Sequence, residues 1–105
     1  MVVDRKLTVE SLGKAFAEHL RNEPDVRELW VAEDEDGFVV SIITDEIDQE
    51  RELQLYSCSS RVRQQFPEAL YEVHLTIPSR YSYTSLAELR RGKLSPDAKK
   101  VPLGR

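Results

Sequence analysis

The sequence predicts an α+β protein, a two-layer α/β sandwich with the element order α-β-β-α-β. Three observations carry this prediction. A long segment with helical periodicity separates two apolar, strand-like runs and forms a strand–helix–strand crossover. An Asp-Gly pair joins two strand-like runs as a hairpin. A further amphipathic segment precedes the strands, so two one-sided helices are expected to cover one face of a small mixed three-stranded sheet.

The first helix is expected to begin after Thr8, whose hydroxyl can accept a hydrogen bond from a free N–H of the first turn. It stops before Pro24, because the residue preceding a proline avoids helical angles. Gly13 costs this helix up to about 1 kcal/mol against alanine, and it allows a close approach to the sheet. Upstream, Val2 and Val3 offer a short edge strand. The apolar stripe of the helix consists of Val9, Leu12, Phe16 and Leu20.

Residues 26–33 and 38–44 are predicted to pair as an antiparallel hairpin. The intervening turn ends in Asp36-Gly37, and the glycine supplies the positive φ that a tight turn requires. The second run is the most apolar in the chain and has apolar residues on both faces, which is typical of a central strand.

The crossover helix is predicted from about residue 45 to residue 66. Acidic residues crowd its start, where they meet the free N–H groups and the positive end of the helix dipole. Residues 70–77 then alternate between apolar and polar side chains, as a strand with one buried face does. The apolar stripe by which this helix is expected to face the core consists of Leu55, Cys58, Val62 and Phe66.

Beyond residue 78 the composition becomes basic and polar. Ser85 and Glu88 form a capping-box pattern for a short helix over residues 86–91, which Gly92 is expected to end. Residues 93–105 contain two prolines and little periodicity. The predicted organisation is one domain over residues 1–92, followed by an extended, partly mobile tail.

Composition narrows the class of protein. One cysteine among 105 residues excludes an internal disulfide and a zinc site built on cysteines. The start of the chain lacks the apolar run of a signal peptide, and no segment reaches the roughly 20 apolar residues of a membrane span. We therefore expect a soluble cytoplasmic protein that binds no cofactor and contacts no membrane.

Charge is distributed unevenly along the chain. Residues 1–79 hold 8 Lys and Arg against 17 Asp and Glu, a net −9, whereas residues 80–105 hold 7 against 2, a net +5. Either the basic segment lies back on the acidic body, or it contacts phosphate groups of a polyanion. The acidic body repels nucleic acid, which favours the first interpretation. The candidate polyanion contacts are Arg80, Tyr81, Tyr83, Arg90, Arg91 and Lys93.

A tryptophan on the sheet face away from the helices is the most informative feature of the sequence. Trp30 alternates with acids on the first strand, and His74 has Glu72 two residues away on the third. A sheet face that is partly apolar needs a cover, which can be the C-terminal segment, a second copy of the chain or a ligand. The predicted partner-binding residues are Glu28, Trp30, Glu72, His74 and Thr76.

Acids at the start of the crossover helix raise a different hypothesis. Asp45 and Asp48 follow the second strand, where ligands of open α/β sheets tend to bind, and clustered carboxylates can hold Mg²⁺. Over residues 8–77 the element order resembles the minimal nucleotidyltransferase fold. That family has a Gly-Ser turn after the first strand and two aspartates one residue apart, whereas this chain has Ala32-Glu33-Asp34 and a spacing of three. The resemblance therefore implies a degenerate copy, and helix capping is the simpler role for these acids.

Taken together, these patterns favour a small non-catalytic interaction module that self-associates or binds a protein partner. The contact surface would be the open sheet face around Trp30 and His74, or the edge of the strand over residues 26–33. No catalytic residue and no metal site is expected. The alternative is a nucleotide-binding domain that uses Asp45 and Asp48 with Mg²⁺.

Overall fold

The computed structural model describes residues 7–83 and 85–104. Its α+β fold contains, in chain order, the helices and strands α1 Val9–Leu20, β1 Val26–Asp34, β2 Gly37–Thr44, α2 Gln49–Gln65, β3 Tyr71–Thr76, α3 Leu86–Lys93 and β4 Lys99–Val101. A single 3₁₀ turn at Pro78–Arg80 follows β3.

The four strands form one mixed sheet in the order β3-β2-β1-β4. β1 and β2 are antiparallel, which confirms the predicted hairpin, and Gly37 in the turn has a φ of 140°. β2 and β3 are parallel, as the crossover through α2 requires. β4 returns antiparallel to the outer edge of β1. Within the described chain, β3 and β4 are therefore the two edges of the sheet.

Helices α1 and α2 cover one face of the sheet, and their apolar stripes meet it in a single core. Phe16, Leu20 and Val62 are fully buried there, and the ring of Tyr71 meets that of Phe16 edge to face at 5.7 Å. The helix starts follow the predicted caps. Thr8 Oγ1 accepts the Ser11 N–H at 3.0 Å, and Asp48 Oδ1 accepts the Arg51 N–H at 2.8 Å.

Gly13 allows α1 to approach the sheet closely, as its sequence position suggested. A Cβ at this residue would lie 2.7 Å from a methyl carbon of Val101 in β4. The missing side chain thus makes room for the edge strand beneath the helix.

Three predicted features differ from the structure. Over the described residues the sheet has four strands rather than three, because residues 99–101 of the predicted tail pair with β1. α2 begins at Gln49, since Asp48 caps it and Asp45 pairs with Arg27 instead of joining the first turn. α3 continues through Gly92 to Lys93, and the ring of Tyr83 occupies the space that a Cβ at Gly92 would need.

Two further expectations concern the ends of the chain and the membrane. Val2 and Val3, considered as an edge strand, lie outside the described residues. Among the helices formed by residues 7–83 and 85–104, none combines the length and the apolar character that a membrane crossing demands.

Candidate binding surface

The second face of the sheet, opposite α1 and α2, holds the side chains that the sequence singled out. Its register places them in adjacent rows across the strands. One row runs through Lys100, Trp30, Ser41 and His74, and the next runs through Glu28, Ile43 and Thr76. The predicted partner-binding residues therefore share one face, as their alternation indicated.

One end of the second face is covered by α3. Glu28 is only 7% exposed, and Ile43 and Thr76 beside it are buried as well. Arg90 of α3 donates from Nε to Glu28 Oε1 at 2.9 Å, and its Nη2 donates to Glu28 Oε2. The predicted open surface is consequently smaller than expected, because α3 covers Glu28 and Thr76 is buried in the same row.

Glu28 is held as a carboxylate by the groups around it. The Arg90 guanidinium lowers the pKa of Glu28, and burial opposes this shift without cancelling it. Trp30 Nε1 donates to Glu28 Oε1 at 2.9 Å, and Lys100 Nζ lies 3.7 Å from Oε2. Trp30 is thus half-buried, with its indole N–H satisfied and the Arg90 guanidinium 5.9 Å from its ring centre.

The other end of the second face is open. The Glu72 and His74 side chains are 76% and 57% exposed, and Glu72 Oε2 lies 3.2 Å from His74 Nε2. Sequence reasoning placed this pair correctly on one side of β3. The predicted surface that stays accessible therefore consists of Glu72, His74 and the exposed part of Trp30.

Beside this open end runs the free edge of β3, which sequence reasoning did not identify. Leu70 O accepts the Phe38 N–H at 2.9 Å, so alternate residues starting from Leu70 direct their backbone groups toward β2. The residues between them direct their N–H and C=O groups away from the sheet, where the described chain places no further strand. These outward-directed residues are Tyr71, Val73 and Leu75.

A groove of about 240 Å³ follows the same edge, and we call it the edge groove. Tyr56 of α2 and Tyr81 after the 3₁₀ turn stand beside it, with exposures of 43% and 42%. Lys93 Nζ lies 4.2 Å from the Tyr81 ring centre. The lining of the edge groove consists of Tyr56, Val73, His74, Leu75, Thr76, Tyr81 and Lys93.

The acids after β2 have structural partners. Arg27 holds the pKa of Asp45 below its usual value through two contacts of 2.7 Å, and Asp48 caps α2. Glu46 accepts hydrogen bonds from Ser79 and Arg80, which lower its pKa. Across residues 7–83 and 85–104, no three His, Cys, Asp or Glu side chains group closely enough to hold a metal ion.

The basic segment contacts the acidic body of the domain. Arg80 pairs with Glu52 at 2.7 Å and with Glu46 at 3.3 Å, while Arg90 pairs with Glu28. These ion pairs support the interpretation that the segment folds back on the body. Of the predicted polyanion contacts, Arg91 is exposed, and Tyr83 is partly buried against Gly92.

A second groove, of about 470 Å³, lies between α1 and the residues that follow β4. Apolar side chains of Val9, Ala17, Val101 and Leu103 form part of its lining, together with charges of both signs. The sequence could not indicate this groove because it exists only once β4 has joined the sheet.

Cys58 is buried in the helix-side core, as its place on the α2 stripe predicted. Burial raises the pKa of its thiol, which keeps the sulfur protonated at neutral pH. It acts in this fold as a small apolar side chain.

Comparisons with known proteins found no matching family model, no matching curated protein and no matching solved structure.

Proposed function

We propose that this domain is a small non-catalytic interaction module that binds a polypeptide, either a second copy or another protein. The free edge of β3 is the observation that carries the proposal. An extended partner can hydrogen-bond to such an edge, while neighbouring grooves select its side chains. We place the protein in the cytoplasm on the basis of its single cysteine.

The two edges of the sheet differ in a way that supports binding at β3. β4 has three residues, two of them lysines, and Pro102 follows it. Short length, lysine and proline are the features by which proteins block unwanted strand pairing. β3 has six residues, no lysine, no proline and no irregularity in its pairing with β2. One edge is therefore protected, and the other presents regular hydrogen-bonding groups.

The surroundings of β3 suit a polypeptide partner. Tyr56 and Tyr81 contribute partly exposed rings to the edge groove, and tyrosine supplies contact area at low entropic cost. Glu72 and His74 add exposed polar groups on the second face. Backbone pairing would supply affinity, and these side chains would supply specificity.

Replacing Val73 by proline is expected to abolish association while the fold survives. The substitution removes an N–H that points away from β2, and proline is tolerated on edge strands. The readouts, with the pure protein and with co-purifying partners, are the mass by light scattering and the hydrogen exchange of the Leu75 amide; the Val73 amide is read as well in the wild type and in the control. Val73→Ala is the matched control, since it shortens the side chain but keeps the N–H.

The proposal predicts that Val73→Ala associates like the wild type and that Val73→Pro does not. Circular dichroism of both variants establishes that the sheet has formed. If Val73→Pro associates as well as Val73→Ala, binding does not use the edge of β3. If neither self-association nor partner-dependent protection occurs in the wild type, the domain is not an interaction module of this kind.

The alternative function, binding of a nucleotide with Mg²⁺ at Asp45 and Asp48, makes its own prediction. Titration with Mg²⁺ and a nucleoside triphosphate would shift the amide resonances of residues 44–50. We expect no shift, because Arg27 and the first turn of α2 already engage these two carboxylates. Saturable shifts confined to this segment would contradict the interaction module as the sole function.

A further inference from the structure

We propose that the partner at the edge of β3 is a second copy of this chain, paired antiparallel about a two-fold axis at Val73. This inference rests on the proposed function and specifies its partner. The two sheets would join into one continuous sheet of eight strands. Each β3 would complete the free edge of the other.

Hydrogen bonding is satisfied symmetrically in this arrangement. Val73 faces Val73 of the other copy, and Tyr71 faces Leu75 on both sides of the axis. All three residues direct their N–H and C=O groups outward, so each facing pair can exchange both of its hydrogen bonds. Every outward-directed N–H and C=O group of β3 is therefore paired in the dimer.

Charge selects this register over its two neighbours. With the axis at Val73, Glu72 of each copy lies opposite His74 of the other on the second face. With the axis at Glu72, two carboxylates would oppose each other, and with the axis at His74, two imidazoles would do so. Two carboxylates directly opposite in a sheet repel each other, and two facing imidazoles forgo the carboxylate partner that the axis at Val73 gives to each of them. The contact of 3.2 Å within one chain shows that this pair can interact.

Side chains around the axis are also self-complementary. Tyr56 stands over the edge groove on the helix side, and Val73 and Leu75 are partly exposed beside it. Leu53 is 65% exposed and precedes Tyr56 by three residues, on the same side of α2. A second copy brings the same apolar groups to the same place, as a two-fold interface requires.

The dimer also closes the assembly. The outer edges of the joined sheet would be the two β4 strands, each carrying Lys99 and Lys100. These protected edges oppose the addition of further strands. The arrangement of edge features thus favours a dimer over an open filament.

A pair of charge variants tests whether the β3 edges of two copies face each other. His74→Glu gives an edge with two acids, and the double variant Glu72→Lys/His74→Lys gives an edge with two bases. Both residues are exposed, so the fold is expected to survive, which circular dichroism checks. Each variant alone should dimerise about tenfold more weakly than the wild type, because like charges face each other at two symmetric positions.

Mixing the two variants is the decisive measurement. The proposed register places each lysine opposite a glutamate, so a mixed dimer should form at concentrations where either variant alone is monomeric. At such concentrations a dimer detected in the mixture by analytical ultracentrifugation is the mixed dimer, and native mass spectrometry identifies it when one variant is labelled with ¹⁵N. Equal dimerisation of the wild type and both variants, or no preference for the mixed dimer, overturns this pairing.

Failure of this inference is distinguishable from failure of the proposed function. Suppose that the pure wild-type chain remains monomeric, yet another protein protects its Val73 and Leu75 amides from exchange. This result rules out a second copy as the partner, and the proposed interaction module stands. A wild-type dimer that persists in Val73→Pro overturns the pairing of two β3 edges, since the contact between the copies would then lie elsewhere.

Discussion

Replacing Gly37 by alanine is expected to destabilise the domain by about 3 kcal/mol. Gly37 has a φ of 140°, which side chains of L-residues rarely accept, and a Cβ there would overlap the carbonyl oxygen of Leu70. That oxygen accepts the Phe38 N–H at 2.9 Å and begins the pairing of β2 with β3. The alanine variant must therefore strain its turn or lose the first hydrogen bond between two strands of the sheet.

Urea unfolding of the purified variant measures this loss, with the m-value checking that unfolding remains cooperative. Gly104→Ala is the control, because Gly104 also has a positive φ, of 77°, but no heavy atom lies within 4 Å of its added Cβ. We expect the control to lose about 1 kcal/mol, the cost of an alanine at a left-handed φ, so that the additional loss in Gly37→Ala measures the contact with Leu70. If Gly37→Ala loses no more stability than Gly104→Ala, the turn is able to relax, and the overlap with the Leu70 carbonyl has no effect on stability.

The elements near Gly37 were predictable because their determinants are local. Asp36-Gly37 specifies a turn, the alternation in residues 70–77 specifies a strand, and the spacing of the α2 stripe specifies a helix face. β4 was missed since Lys99-Lys100-Val101 has no strand-like pattern of its own. It is extended because it pairs with the edge of β1, and that cause is tertiary.

Of the candidate surface, the sequence could predict which residues share a face, because side chains alternate between the two faces along a strand. Glu72 and His74 share a side of β3 for this reason, and Glu28 shares a side of β1 with Trp30. The partner of Glu28 could not be read from the chain, because Arg90 lies 62 residues away and reaches it only once α3 covers the sheet. Strand order is likewise tertiary, so the free edge of β3 became visible only in the fold.

Removing the Arg90 guanidinium is expected to cost about 2–3 kcal/mol of stability. Replacing one partner of a buried ion pair leaves an uncompensated charge, at a cost of roughly 3–5 kcal/mol. The stability lost in Arg90→Met should lie at or below the lower end of this range, because Lys100 remains 3.7 Å from Glu28 and partly compensates its charge. Glu28→Gln keeps an acceptor for the Trp30 indole, so the double variant Glu28→Gln/Arg90→Met is expected to recover part of the loss.

A double-mutant cycle of urea unfolding measures this coupling, and additive losses would show that Arg90 does not stabilise Glu28. The fluorescence of Trp30, the single tryptophan, is a local probe of this contact. Arg90→Met removes the cation beside the indole ring and should change the fluorescence of the folded state.

Acid provides an independent measure of the same contact. The pKa of Glu28 is lowered from its ordinary value of 4.5, chiefly by the Arg90 hydrogen bonds. A carboxyl group with a lowered folded-state pKa stabilises the fold above its unfolded-state pKa, and this stabilisation is lost as the pH falls through the folded-state value. The stability difference between the wild type and Glu28→Gln should therefore be largest near neutral pH and shrink as the pH falls below about 4.5. In Arg90→Met the folded-state pKa of Glu28 moves toward the unfolded-state value, so the loss of stability that Glu28 causes on acidification should be smaller than in the wild type and complete at a higher pH. Superimposable pH profiles for the wild type and Arg90→Met would contradict the role assigned to the Arg90–Glu28 contact in holding α3 on the sheet.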